Sequence, residues 1–183
     1  MRSLKGQLLI ASPGLLDSFF TRTVILMLDH SEDGAAGVVI NRPTQATISE
    51  IAETVFSEPC DWIKTLHLGG PVSGPLMVLH EVESLADQLV FAGLFQSVES
   101  IHVRRLILSR TEPSLILANY AGWGPGQLED EFDVDSWLTL PATRDHVFLE
   151  NDRLWEDVIK SAKTRRLSDF LGLRVVPDDP SVN

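Results

Sequence analysis

Apolar positions along the chain change period several times, and each change marks an element. In "TVILMLDHSEDGAAGVVINRP", residues 23–43, two apolar and β-branched runs flank "SEDG". Asp33-Gly34 offers the φ > 0 position that a tight connection requires, so the segment predicts a β-hairpin turning at Glu32 and Asp33. Val24 to Leu28 is apolar without alternation, which predicts a strand covered on both faces. Pro43 is expected to end the returning strand. "TISEIAETVF" predicts a helix: Thr47 is the N-cap, Glu50 completes a capping box, and Ile48, Ile51, Ala52 and Val55 share one face.

"KTLHLGG" and "PLMVLHEV" read as two short strands around the turn "GGPVSG". Further strands are expected at "QLVFAGLF", "SLILANYAGW" and "SWLTLPAT", while "VESIHVRRLIL" fits either helix or strand. Leu154, Trp155, Val158, Ile159 and Ala162 repeat at helical spacing, and Gly172 marks a stop. An early hairpin followed by alternating strands and helices predicts the α/β (α+β) class. The expected architecture is a compact single domain over residues 1–176, with a mixed β-sheet and flanking helices. Residues 177–183, "PDDPSVN", are expected to form a flexible C-terminal tail.

Composition narrows the function. Of 183 residues, 15 are Lys or Arg and 26 are Asp or Glu, a formal charge of −11. Such a surface repels phosphate polymers and anionic lipid headgroups, so direct DNA binding is not expected. The densest basic stretch, "KSAKTRR", reads as a solvated helix face carrying Lys160, Lys163, Arg165 and Arg166. The single Cys60 cannot form an internal disulfide, and no Cys/His spacing resembles a zinc site. A reducing cytoplasm is the expected compartment, with no metal and no cofactor. Near the N-terminus Ser12, Pro13 and Gly14 interrupt the apolar run short of a signal segment, and no run approaches the ~18 apolar residues of a membrane span.

Two stretches invite a chemical reading. "GWGPGQ", residues 122–127, has G-x-G-x-G spacing, which is neither the dinucleotide fingerprint nor a Walker loop. Pro125 removes an amide, and Glu129, Asp130 and Glu131 would meet an incoming phosphate. It therefore reads as a glycine corner between a strand ending at Tyr120 or Ala121 and a helix starting at Pro125, with Trp123 filling the space beneath. The other reading is a pocket at the sheet edge, where exposed amides and the Tyr120 and Trp123 rings hold a small group. Tyr120, Gly122, Trp123, Gly124 and Gln127 are its candidate residues. The second stretch offers Asp29 and His30 near the hairpin turn, and Arg22, Asn41 and Arg42 at its open end, about 20 Å away. Asp29 and His30 read as a turn cap or as a base with its orienting carboxylate. Arg22, Asn41 and Arg42 read as a ligand site or as contacts closing the hairpin. His67 and His80, on strands expected to be neighbours, could meet across a ladder.

"GQLLIASPGLLDSFFTRTVILMLDHSEDGAAGVVINRP", "LGGPV" and "YAGWGPGQLEDEF", in that order over nearly the whole chain, resemble the YqgE/AlgH family of bacterial proteins. Asn119 stands where that family usually has glycine. The resemblance implies a compact single-domain α/β fold and a cytoplasmic bacterial protein, without an established activity. One branch carries the label of transcriptional regulator, but this sequence has no helix-turn-helix with a basic second helix. The combined expectation is a non-enzymatic cytoplasmic protein that binds a small ligand or a protein partner in a regulatory role. The alternative is a hydrolase-like enzyme using Asp29 and His30, or the pocket beside Trp123.

Overall fold

A computed structural model describes residues 3–172; the expected tail at 177–183 lies outside them. Strands β1 (Gln7–Ala11), β2 (Val24–Ser31) and β3 (Gly34–Val39) come first. Next are β4 (Pro43–Thr47), α1 (Ile48–Phe56), β5 (Thr65–Leu68), β6 (Val72–His80), β7 (Gln88–Phe91), β8 (Leu94–Ser97) and α2 (Ser100–Leu108). β9 (Ser114–Trp123), α3 (Gln127–Asp133), β10 (Trp137–Pro141), α4 (Arg144–Phe148) and α5 (Leu154–Phe170) complete the fold. One curled sheet runs β10-β1-β2-β3-β9-β6-β8-β7, with β5 beside β9 and β4 beside β5. Among the described residues only the β5–β9 pair is parallel, which makes the sheet mixed.

The unalternating run Val24–Leu28 is buried on both faces, as expected. Val24, Leu26 and Leu28 enter a core with Leu8, Ile10, Val38, Leu79 and Leu117, roofed by α4 and α5 through Val147, Val158 and Ile159. Ile25 and Met27 point the other way, toward Leu9, Trp123, Leu128 and Trp137. Farther along that second face, α1 and α2 cover Val78 and Ile116. Near the turn the hairpin has the expected register, with His30 opposite Ala35, but a shift between Met27 and Asp29 moves the pairing by one residue toward the open end. Ile40 N–H therefore donates to the Val24 carbonyl, and Asn41 reaches the Val24 amide through its side chain. The Thr47–Glu50 capping box forms, and "VESIHVRRLIL" resolves to helix α2.

"QLVFAGLF" is not one strand but the hairpin β7–β8, because Gly93 at φ 82° lets Phe91 pair with Leu94. More consequential is the link from β5 to β6. These strands are not neighbours: β5 lies parallel on one edge of β9, and β6 lies antiparallel on the other. The chain must cross β9, and Gly69-Gly70 does so at a separation that admits no side chain. A Cβ on Gly69 would sit 2.4 Å from the Asn119 carbonyl oxygen, and one on Gly70 would sit 1.9 Å from the Tyr120 carbonyl carbon. His67 and His80 are thus separated by β9, opposite Leu117 and Ser114 respectively.

Candidate functional site

Trp123 continues β9 past the expected end at Tyr120 or Ala121, and α3 starts at Gln127 instead of Pro125. Gly126, at φ 75°, is the N-cap that turns the chain between them, a conformation glycine adopts at no steric cost. The Gln127 side chain accepts the Gly124 N–H at 3.1 Å and donates to Glu131. One oxygen of Glu131 accepts both indole N–H groups, Trp123 at 3.0 Å and Trp137 at 2.7 Å. Phe20 stacks on Trp123 and meets Trp137 edge to face. The Gly124 amide, the Gln127 side chain and both indole N–H groups are thus bonded within the protein.

A pocket built from both the Tyr120 and Trp123 rings is ruled out by the sheet, since the rings lie on opposite faces. Trp123 joins Ile25 and Met27, whereas Tyr120 packs against the core of Val24 and Leu26. The Tyr120 ring is clasped by two glycines: a Cβ on Gly74 would come within 2.8 Å of it, and one on Gly122 within 3.2 Å.

Arg22, Asn41 and Arg42 do gather at the open end of the hairpin, and each contacts neighbouring groups of the protein. Asn41 accepts the Val24 N–H at 2.8 Å and donates to the Arg22 carbonyl at 3.0 Å. Arg22 pairs with Glu156 and lies over the Trp155 ring. Arg42 lies 4.4 Å over the Phe19 ring. Burial lowers the pKa of its guanidinium, and nearby Asp17 partly restores it.

His30 is not a turn cap. Its Nδ1 accepts the Leu4 N–H at 3.1 Å, which leaves the ring proton on Nε2, 2.9 Å from Glu129. The imidazole ties the N-terminal segment and α3 to β2. Glu129 is held below the usual carboxylate range, first by its own backbone N–H and then by His30. Asp29 is exposed and accepts the His30 backbone N–H, so it does not orient the ring.

A serine–histidine pair that the sequence did not reveal occurs at Ser97 and His80, 2.8 Å apart. Its hydrogen-bond direction excludes general-base activation. Val82 N–H donates to His80 Nδ1, so Nε2 carries the proton toward Ser97. The Ser97 hydroxyl in turn donates to the Leu85 carbonyl. Burial holds the His80 pKa below its ordinary value, consistent with a neutral ring. Among the described residues no group of three or more His, Cys, Asp or Glu is arranged to hold a metal.

An open concavity lies elsewhere, between edge strand β10 and the C-terminal half of α5. One part, about 310 Å³, reaches Trp137, Thr139, Ala162 and Arg165. A second, about 530 Å³, extends past Pro13, Lys163, Leu167 and Phe170. Asp135, Leu138 and Arg166 border both parts, making them one groove. Its far wall is apolar and exposed, Phe170 at 84% and Leu167 at 58%. Asp135, at φ 54°, swings the chain from α3 into β10 and accepts Arg166 at 3.0 Å. None of the candidate ligand residues lines this groove. "KSAKTRR" was the sequence signal for it, through Lys163, Arg165 and Arg166.

A family model described as AlgH-like matches residues 8–166. A UPF0301 protein of Streptomyces avermitilis is 35% identical over 99% of this chain and 96% of its own length. Another, from Chlorobium limicola, is 37% identical over 85% of each chain. The solution structure of the AlgH protein from Pseudomonas aeruginosa superposes with a TM-score of 0.73 at 31% identity, covering 94% of this chain and 95% of that one. A Corynebacterium diphtheriae protein of known crystal structure, 23% identical with a TM-score of 0.69 over 85% of each chain, shares the fold. Among the described residues no helix is long and apolar enough to cross a membrane.

Proposed function

The chain belongs to the AlgH-like family, and on that premise we propose that it is a non-enzymatic cytoplasmic binding protein that engages a partner through the β10–α5 groove, in a regulatory role. The observation that carries this reading is the groove itself, an open concavity with an apolar wall and a basic rim. Binding sites combine these features. The residues that could have served a hydrolase, Asp29, His30 and the ring of Trp123, have other engagements: His30 latches two segments together, and Trp123 is buried against Glu131. With a charge of −11, duplex DNA is a poor partner for this surface at physiological salt.

Native mass spectrometry of protein purified from its own host tests the reading. Phe170→Asp is the control, because Phe170 is exposed and its replacement should leave folding intact. The expected result is added mass on the parent that disappears in the variant. The same added mass on Phe170→Asp would remove the groove from the proposal. Turnover of ester, amide or phosphoester probes above the uncatalysed rate would reject the non-enzymatic reading.

A further inference from the structure

The hydrogen-bond phase of β10 determines what its outer edge offers. Ser12 N–H donates to the Ser136 carbonyl, and Ala142 N–H donates to the Gly6 carbonyl. Backbone groups in an antiparallel pair alternate in direction. Hence Ser136, Leu138, Leu140 and Ala142 face β1, while Trp137, Thr139 and Pro141 face away from it. The outer edge presents the N–H and C=O of Trp137 and Thr139 and the C=O of Pro141, and none of these bonds another described residue. Pro141, which has no N–H, sits at a position where the ladder loses nothing by it.

The groove opens beside this edge, since Trp137 and Thr139 belong to its lining. Unpaired edge groups next to an open channel form a template for one more strand. Across the channel, Leu167 and Phe170 offer apolar contact, and Lys163, Arg165 and Arg166 offer positive charge. Lys163 and Arg165 have no ion-pair partner among the described residues; Arg166 has Asp135. Asp169 also lines the channel, so the wall is basic by three groups to two acids, against a whole-chain charge of −11.

We propose that the free edge of β10 pairs with an extended segment of a partner protein in which apolar and acidic residues alternate. The proposal rests on the binding reading above and specifies its partner. Alternation follows from strand geometry, because successive side chains of an added strand point to opposite faces: one set meets the basic groups of α5, and the other meets the side of the edge lined by Phe132 and Trp137. Acidity follows from charge complementarity with Lys163 and Arg165. A second copy is a worse occupant: pairing β10 with β10 about a twofold axis would bring two sets of Lys163, Arg165 and Arg166 together.

The test is an NMR titration of the full chain with an acetylated, amidated Val-Asp-Val-Glu-Val-Asp peptide, and with two analogues N-methylated at alternate positions. In strand pairing, only one of the two alternating sets of peptide N–H groups faces β10. The expected result is perturbation of the Trp137 and Thr139 amides by the parent peptide. Affinity should fall at least tenfold for one analogue only. Thr139→Pro, which removes an outward N–H, should weaken binding by at least tenfold. So should the double variant Lys163→Glu with Arg165→Glu, which leaves the edge intact and guards against a folding defect in Thr139→Pro. Equal affinity for both analogues, or no binding by any peptide, overturns strand pairing. A concentration-dependent dimer abolished by Thr139→Pro assigns the edge to a second copy and overturns the partner. Binding only after removal of residues 173–183 assigns it to the chain's own end, with the same consequence. If the peptides fail while Phe170→Asp still loses the native added mass, the groove remains the binding site and only the pairing mode is rejected.

Discussion

Glu131 carries more of the "GWGPGQLEDE" stretch than any glycine in it. Trp123 and Trp137 are 6% and 4% exposed, and indole N–H groups can only donate, so each needs an acceptor inside the protein. A single carboxylate serves both. Glu131→Gln keeps an acceptor oxygen and should destabilise less than Glu131→Leu, which leaves two buried donors unpaired at roughly 1–3 kcal/mol each. Trp123→Ala should lose about 3–5 kcal/mol, because it empties the space between Phe20 and Trp137. Urea denaturation of the three variants measures both statements. Equal midpoints for Glu131→Gln and Glu131→Leu would refute the shared-acceptor account. Asn119 gives a second residue-level prediction. It sits at φ 66° beneath the Gly69-Gly70 crossing, a conformation open to glycine and tolerated by asparagine. Asn119→Gly should be close to neutral and Asn119→Ala should cost about 1 kcal/mol or more, read as a shift in denaturation midpoint.

Elements whose signal is local were legible from the chain. The hairpin β2–β3 follows from Asp33-Gly34 and two β-branched runs, and α1 follows from its cap. Thr47→Ala should therefore lower stability by about 0.5–2 kcal/mol, because Thr47 accepts the Glu50 N–H while Glu50 reaches back to the Thr47 N–H. An unchanged melting temperature would mean that α1 is held by Ile48 and Ala52 alone. Even here tertiary packing intervenes: Val55, on the expected apolar face, is 56% exposed. Elements defined by distant partners were less legible. "LGGPV" has the composition of a hairpin turn, and only the position of β9 reveals it as a crossing. Gly93 looked like one weak residue in a strand until its positive φ divided β7 from β8. The candidate site suffered most, although spacing alone separates its two rings: Tyr120 and Trp123 lie three residues apart on β9, and strand alternation sends such residues to opposite faces. The left-handed Asn119, upstream of both, shifts the phase so that Tyr120 returns to the face of Leu117. The groove was hidden for another reason. Its basic residues looked like an ordinary solvated helix face, and the exposed edge of β10 depends on which strand ends up outermost.

At the scale of the whole molecule, three histidines tie stability to pH, and their sign competes with that of net charge. Burial holds His67, His80 and His146 below the ordinary value of 6.5. For His80 and His146 the hydrogen bonds agree, because each Nδ1 accepts a backbone N–H, from Val82 and Thr143 respectively. An added proton would set donor against donor. A histidine with a depressed folded-state pKa binds fewer protons in the native state than in the unfolded state as pH falls past 6.5. Stability then decreases with acidification. It is fully present above the unfolded value and is lost as pH descends toward the folded ones. The opposing term is the charge of −11, whose self-repulsion weakens as the chain is acidified toward its isoelectric point of 4.8. Salt separates the two, because ions screen exposed charges at a Debye length of about 8 Å at 0.15 M while leaving buried rings largely unscreened. At that ionic strength buried His80 and half-buried His67 and His146 should prevail, giving a lower urea midpoint at pH 5.5 than at pH 7.5. His80→Gln should flatten the difference even if it lowers stability overall, since it removes one of the three titrating rings. A midpoint that rises between pH 7.5 and 5.5 at 0.15 M salt, in parent and variant alike, would give control of stability to surface repulsion and end the histidine account.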